Sequence, residues 1–316
     1  MKLRAPIDTD RGILTFAQGK DVYFDMAVTL ALSVRMTNPS LPLAVITDRE
    51  ESVLNKFYDF VIPHRDECAD GFVEKMYVNR YTPFRRTLYL DADMLVIKDI
   101  EHFWNDLDGT PFTCLARKVM TEGYWYGDVA EYCKVFEIEE LATLNAGLMY
   151  FERSEACDQL LADSLAMVPQ YDQLGLKRNR DLVADEPLLA IVMDRMALPL
   201  YEDDQKFMAS PMDCSWFKVE SLLGTCSFET DGVLYSPAIV HFSAGYWDYF
   251  HYKRERAKMR LATRCPFLGR RFTTALVDLS WNTAYVLQIF LRRIARRILR
   301  GQQVEFGTWL PASRYM

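Results

Sequence analysis

The stretch Thr87-Leu88-Tyr89-Leu90-Asp91-Ala92-Asp93-Met94-Leu95-Val96-Ile97 sets two carboxylates inside an apolar run. Leu88, Tyr89 and Leu90 lead in and Met94 to Ile97 lead out, which is the composition of a buried strand. Two like charges two residues apart are costly to bury unless something neutralises them. In an extended chain, residues i and i+2 point the same way, so Asp91 and Asp93 converge on one side. The economical account is a strand end opening onto a cleft, where a divalent metal and an anionic ligand meet. A strand that simply turns at its polar end fits the same residues.

Upstream, Gly12 to Ala17 reads as a first strand that ends in Gln18-Gly19-Lys20-Asp21. A helical pattern follows from Val22 to Met36, with Tyr23, Ala27, Leu30, Ala31 and Val34 on one face, and Asn38-Pro39 stops it. Leu43 to Asp48 is a second strand, Glu50 to Phe57 a second helix and Phe60 to Pro63 a short third strand. Gly71 to Tyr81 reads as a helix before the acidic strand. This alternation predicts an α/β fold with a mostly parallel central sheet. Such sheets bind ligands at the C-terminal ends of their strands. Thr15 to Gly19, Thr47-Asp48 and Asp91 to Asp93 all fall there. Lys75, on the helix before the acidic strand, either faces a diphosphate held by the metal or is a solvated helical lysine.

Downstream, Phe112 to Ala116 is a strand, and residues 117–140 carry Tyr124, Trp125, Tyr126 and Tyr132. That segment is either an aromatic-lined acceptor loop or a buried helical excursion. Leu144 to Phe151 is a strand entered by a polar, tight turn, and Asn145 at its mouth hydrogen-bonds a ligand or only caps the turn. Ser154 to Met167 is a helix with an N-cap serine. Asp185-Glu186-Pro187 opens another helix, a placement that the helix dipole alone would favour. Ile239 to Phe242 is a late strand ending in His241, with Ser243-Ala244-Gly245 as the turn. A lone histidine after an apolar run is usually a core residue. As a third ligand beside two aspartates it suits Mn²⁺ better than Mg²⁺.

At 316 residues, half of them hydrophobic, the chain can bury a substantial core. Its net charge of −7 is uneven, because 13 Lys/Arg between His251 and Arg300 face only Glu255 and Asp278. An acidic body with a basic end points to two different partners, and no nucleic acid is expected among them. The seven cysteines contain no Cys-x-x-Cys pair, which favours a reducing compartment over a zinc or disulfide framework. Met1 to Asp8 has no apolar core of a cleaved signal, so a cytoplasmic location is expected. Residues 272–291 are largely apolar, and Arg292, Arg293, Arg296, Arg297 and Arg300 follow opposite Ile294 and Ile298. This is the pattern of a basic amphipathic helix lying on an anionic membrane surface through residues 270–300. Asp278, Asn282 and Gln288 argue against its spanning the bilayer. A helix packed on the acidic body or on a dimer partner is the other reading.

Taken in order, Ile13–Ala17, Tyr23, Lys75, Asp91-Ala92-Asp93, Asn145-Ala146-Gly147, Asp185-Glu186 and His241 resemble the retaining glycosyltransferases of family 8. That family includes glycogenin and the bacterial lipooligosaccharide galactosyltransferases. The resemblance, which covers roughly residues 12–250, implies a single GT-A, Rossmann-like, nucleotide-sugar-binding domain over residues 1–250; the basic, aromatic helical extension over 251–316 is read from its own composition. It implies transfer of a hexose from a UDP-sugar to a glycan, lipid-linked or protein acceptor, with retention of configuration. By the same resemblance, Thr15, Phe16 and Ala17 line the base, Tyr23 stacks on uracil, and Lys75 touches the donor. Asp91, Asp93 and His241 hold Mn²⁺ or Mg²⁺, with Ala92 between the two acids. Asn145, Ala146, Gly147 and Asp185 grip the donor sugar, and Glu186 stands near the anomeric carbon.

The chain departs from the family twice. Glu186 occupies a position where Gln is usual. The run His-x-x-Gly-x-x-Lys-Pro-Trp is replaced by His241-Phe242-Ser243-Ala244-Gly245-Tyr246-Trp247, which leaves Lys253 or Arg254 as candidates for the missing cation. Two other classes compete. One is a decayed nucleotide-sugar-binding or membrane-scaffold protein, motivated by the altered stretch after His241. The other is a haloacid-dehalogenase-like phosphatase, disfavoured by Leu95 and by the late position of the acidic strand.

Overall fold

The computed structural model describes residues 9–49, 53–65, 71–203 and 207–299. The chain opens with β1 (Thr9–Ala17), α1 (Asp21–Thr37), β2 (Leu43–Thr47) and β3 (Phe60–Pro63). Asp21 in the first turn of α1 and Arg35 in its last complement the helix dipole. A 3-10 segment, Gly71–Tyr77, leads through the short α2 (Val78–Tyr81) into β4 (Phe84–Leu90). Then come β5 (Met94–Val96), α3 (Glu101–Asp106), β6 (Phe112–Met120), α4 (Val129–Phe136) and β7 (Leu141–Glu152). Helix α5 (Glu155–Met167) starts where the Ser154 side chain accepts from the Cys157 amide, and α6 (Glu186–Arg195) carries Pro187 in its first turn. Small strands follow: β8 (Tyr201–Glu202), β9 (Met208–Ala209), β10 (Trp216–Glu220), β11 (Thr225–Thr230), β12 (Val233–Tyr235) and β13 (Ile239–His241). Helices α7 (Phe250–Arg264) and α8 (Arg270–Leu299) close the described chain.

The central sheet has seven strands in the order β3-β2-β1-β4-β7-β6-β8. All neighbours run parallel except where β7 is inserted antiparallel between β4 and β6. The expectation of a mostly parallel α/β sheet therefore holds. Strand β2 is buried along its whole length, as a parallel strand flanked on both sides must be. On one face of the sheet Leu14, Ala44, Ile46, Tyr89 and Met149 pack with Leu160 and Leu161 of α5 and Leu188 and Leu189 of α6.

Three local expectations are corrected. Over its described part, the helix expected from Glu50 to Phe57 is one 3-10 turn at Leu54–Lys56; Glu50 itself lies outside the described residues. The acidic stretch is not one strand. After Leu90 the chain leaves the sheet: the Met94 amide turns back onto the Asp91 carbonyl at 3.1 Å. Met94–Val96 then pairs antiparallel with β13 in a separate sheet. The turn places both carboxylates, partly exposed, beyond the sheet instead of in its interior, which the cost of burying like charge demands. Third, Asn145 does not sit in a turn at the mouth of a strand. It lies within β7, where the register with β6 jumps from Cys114↔Met149 to Leu115↔Asn145. Such a bulge releases the residues between from that ladder, and here it frees Ala146 and Gly147 for other partners.

The chain divides into two compact units, one ending at Arg260 and one beginning at Leu261. In the first, a buried charge network ties α7 to the small antiparallel sheet β10-β11-β12. Lys258 Nζ lies 2.6 Å from Glu220 Oε2 and 2.9 Å from Glu255 Oε1. Glu255 Oε2 accepts from the Ser221 amide and hydroxyl at 2.8 and 2.9 Å. In the second unit α8 is a single helix in which Phe272, Leu276, Leu279 and Leu287 are exposed. The side chains of Arg292, Arg293, Arg296 and Arg297, and all of Arg300, lie outside the described residues. Among the described residues no helix is long and apolar enough to cross a membrane.

Candidate metal centre

The turn after β4 and the end of β13 bring Asp91, Asp93 and His241 together, with one donor atom of each within 4.8 Å of the others. Register does the positioning: His241 pairs with Met94, and the next amide, Phe242, donates to the Asp93 carbonyl at 3.1 Å. His241 Nε2 stands 3.2 Å from Asp93 Oδ1 and 3.8 Å from Asp91 Oδ2. Burial opposes ionisation of Asp93, but the His241 imidazole and Lys75 outweigh it and hold the carboxyl below its ordinary value. Asp93 Oδ1 is buried without a hydrogen-bond partner. A buried carboxylate oxygen facing an imidazole nitrogen and a second carboxylate fits a divalent cation.

Lys75 lies behind this cluster. Its Nζ is 3.0 Å from Asp91 Oδ2, 3.5 Å from Asp185 Oδ2 and 3.4 Å from the Ala146 carbonyl. Burial disfavours its charge, yet Asp91 and Asp185 together push its pKa above the ordinary lysine value. The Tyr89 hydroxyl donates to the other oxygen of Asp91 at 2.8 Å. Burial raises the Asp185 carboxyl despite Lys75. Burial first, and then the neighbouring Asp185, push Glu186 up to about 7.

The bulge in β7 supplies the remaining wall. Its freed Ala146 amide donates to Glu186 Oε1 at 3.2 Å, and the Gly147 carbonyl accepts from the Asp91 amide at 2.8 Å. Asn145 Oδ1 is occupied by the Gly147 amide at 3.0 Å. Gly147 itself has no room for a side chain. A Cβ there would lie 2.5 Å from His241 Cε1, 2.8 Å from Met94 Cε and 2.9 Å from Asn145 Oδ1. Gly147→Ala is therefore expected to destabilise the fold by about 1–3 kcal/mol and to displace the imidazole. Thermal melting with and without Mn²⁺ checks it. An unchanged melting temperature together with an undiminished Mn²⁺ response would show that the crowding is relieved harmlessly.

No family model and no curated protein matches the sequence. Among solved structures, the apo bifunctional glycosyltransferase WbbM aligns at a TM-score of 0.51 and 11% identity, over 84% of this chain and 53% of that one. The fold is the GT-A glycosyltransferase fold. Two further glycosyltransferases align with lower scores. The galactosyltransferase LgtC, with donor and acceptor sugar analogues, gives 0.49 at 14% identity over 73% of this chain and 87% of that one. Mouse xyloside xylosyltransferase 1 in its apo form gives 0.46 at 12% identity over 75% and 99%.

In this GT-A frame Lys75, Asp91, Asp93, Asn145, Ala146, Gly147, Asp185, Glu186 and His241 form one connected cluster, with Ala92 between its two acids. Thr15 and Ala17 are buried at the end of β1, and Phe16 packs on Tyr89 with ring centroids 6.0 Å apart. Tyr23, on the first turns of α1, is 39% exposed. Lys253 pairs with Asp248 at 2.6 Å and Arg254 with Glu255 at 3.3 Å. Two further side chains, Tyr89 and Tyr126, touch this cluster, and the sequence patterns assign neither of them to the donor site. Tyr89 could have been found, because it stands two residues before Asp91. Tyr126 donates to Glu186 Oε2 at 3.0 Å, across a sequence separation that no local pattern bridges. Within residues 117–140, α4 buries Tyr132 as the helical reading expects, whereas Tyr124 is 71% exposed.

Proposed function

We propose that the unit ending at Arg260 is a metal-dependent glycosyltransferase that moves a hexose from a UDP-sugar to a glycan, glycolipid or protein acceptor, with retention of configuration. The observation that carries this reading is the Asp91, Asp93 and His241 set facing Lys75 at the end of a GT-A sheet. The three ligands would hold Mn²⁺ or Mg²⁺, which as a Lewis acid draws charge from the departing UDP. Lys75 places a fixed cation beside the diphosphate. Thr15, Phe16 and Ala17, with Tyr23, would border the base. Asp185, the Asn145-Ala146-Gly147 bulge and Glu186 would border the donor sugar, where fixed polar groups stabilise developing charge in the transition state.

The test is UDP release from a panel of UDP-sugars with Mn²⁺, run beside thermal melting, because a bound donor stabilises the fold by mass action. A melting temperature that no UDP-sugar raises, with no UDP released, would refute the reading. A raised melting temperature without release or transfer to any acceptor would instead identify a binding protein.

For the second unit we propose contact of residues 270–300 with an anionic membrane on its cytoplasmic face. Exposed Phe267, Phe272, Leu276 and Leu279 beside Arg270 and Arg271 support this. The full-length protein is expected to float with phosphatidylserine-containing liposomes and not with neutral ones. Flotation that Phe272→Asp with Leu279→Asp leaves unchanged would overturn it.

A further inference from the structure

We propose that Tyr126 is a positioning residue of this site, its phenol O–H holding the Glu186 carboxylate in place against the Ala146 amide; the proposal rests on the glycosyltransferase reading above. A carboxylate at the first position of a helix would ordinarily turn to solvent or to the helix's own free amides. Glu186 does neither. Its Oε1 accepts from the Ala146 amide at 3.2 Å and its Oε2 from Tyr126 at 3.0 Å. A carboxylate has about four lone-pair sites, so two donors fix its plane and leave acceptor capacity for a donor hydroxyl or the reacting centre.

The phenol is itself held by backbone that is strained and overdetermined. Tyr126 has φ 54°, the left-handed region that side chains other than glycine rarely adopt. Its carbonyl accepts from the Tyr132 hydroxyl at 2.5 Å and from the Lys177 amide at 2.7 Å. The Trp125 amide donates across it to the Gly127 carbonyl at 2.9 Å, and the Trp125 ring meets the Tyr126 ring edge-on with centroids 5.2 Å apart. Gly127, at φ 146°, must be glycine, because a Cβ there would lie 1.5 Å from the Tyr132 hydroxyl. Lys177 is fixed in turn, since the Tyr171 hydroxyl donates to its carbonyl at 2.9 Å. Strain of this kind persists where surrounding contacts impose it, and it clusters at functional sites. Here the whole frame delivers one hydroxyl to one carboxylate.

The contact also bears on protonation. Burial and Asp185 raise Glu186, whereas Lys75 and the Tyr126 hydrogen bond oppose them. Cys114 on β6 also faces Glu186, while Asp91 after β4 and Tyr171 after α5 face its neighbour Asp185. Removing a donor that favours the charged carboxylate moves its titration upward.

Tyr126→Phe deletes only the hydroxyl, so thermal melting should report an intact fold. The direct readout is the ¹³C-carboxyl titration of Glu186 in protein labelled at glutamate, its resonance assigned as the one missing from Glu186→Gln. In Tyr126→Phe that titration should move up by about 1 pH unit. With a UDP-sugar that the wild-type protein turns over, kcat at neutral pH should fall about tenfold with KM little changed. The acid limb of its pH profile should move up in step with the titration. An unmoved titration in Tyr126→Phe would overturn the proposal. If the wild-type protein turned over no UDP-sugar, the glycosyltransferase reading would fall, while the NMR titration would still decide the Tyr126–Glu186 coupling by itself.

Discussion

Replacing Asp91 and Asp93 together by asparagine is expected to lower kcat/KM for UDP release about a thousandfold, which corresponds to about 4 kcal/mol of lost transition-state stabilisation. The amides keep the shape of the turn but remove both negative ligands, leaving His241 alone on the far side. Lys75 would then face a neutral oxygen at 3.0 Å in place of a carboxylate, with Asp185 at 3.5 Å as its remaining charged neighbour. Mn²⁺ should raise the melting temperature of the wild-type protein and leave that of the double variant unmoved. Turnover within about twofold of wild type would show that the metal assignment is wrong, whatever the fold.

Lys258→Ala should be the most destabilising single change outside the site, by about 3–5 kcal/mol, because it removes the buried cation between two buried carboxylates and leaves them only the longer contacts to Arg254 at 3.3 Å and Lys218 at 3.9 Å. Glu255 and Lys258 are fully buried, and Glu220 nearly so. Burial already raises the Glu255 carboxyl above its ordinary value against the pull of Lys258. The sign follows from linkage. A carboxyl whose folded pKa lies above its unfolded value binds more protons when folded, so its contribution to stability falls as pH rises through that window. Without Lys258 the shift is larger, and the deficit of the variant should widen between pH 5 and pH 8. Urea unfolding across that range measures it. A loss below about 1 kcal/mol, flat with pH, would mean that water or another cation replaces the lysine.

Fold class was legible because it depends on local periodicity. The apolar runs at Gly12–Ala17, Leu43–Asp48 and Phe60–Pro63 alternate with helical patterns, and all three became parallel neighbours in the sheet. Two boundaries failed where a long-range pairing outweighed local pattern. Met94 to Val96 has the composition to continue β4, but the antiparallel partner offered by β13 draws it into another sheet. Asn145 reads as a turn residue, yet a register jump between β6 and β7 keeps it in a strand and spends its side chain on the Gly147 amide.

The sequence by itself determined which chemistry was available: two acids flanked by apolar residues offer a cation two ligands, and their order with Lys75, Asp185 and His241 named the candidate surroundings. Only the tertiary structure decided who touches whom. His241 reaches Asp93 through strand register, Lys75 spans Asp91 and Asp185, and Tyr126 reaches Glu186 from a left-handed turn 60 residues away. The reason is physical. Burial cost and periodicity are properties of neighbouring residues and can be read along the chain. A hydrogen bond between distant side chains depends on how the whole backbone closes, and no local pattern encodes it.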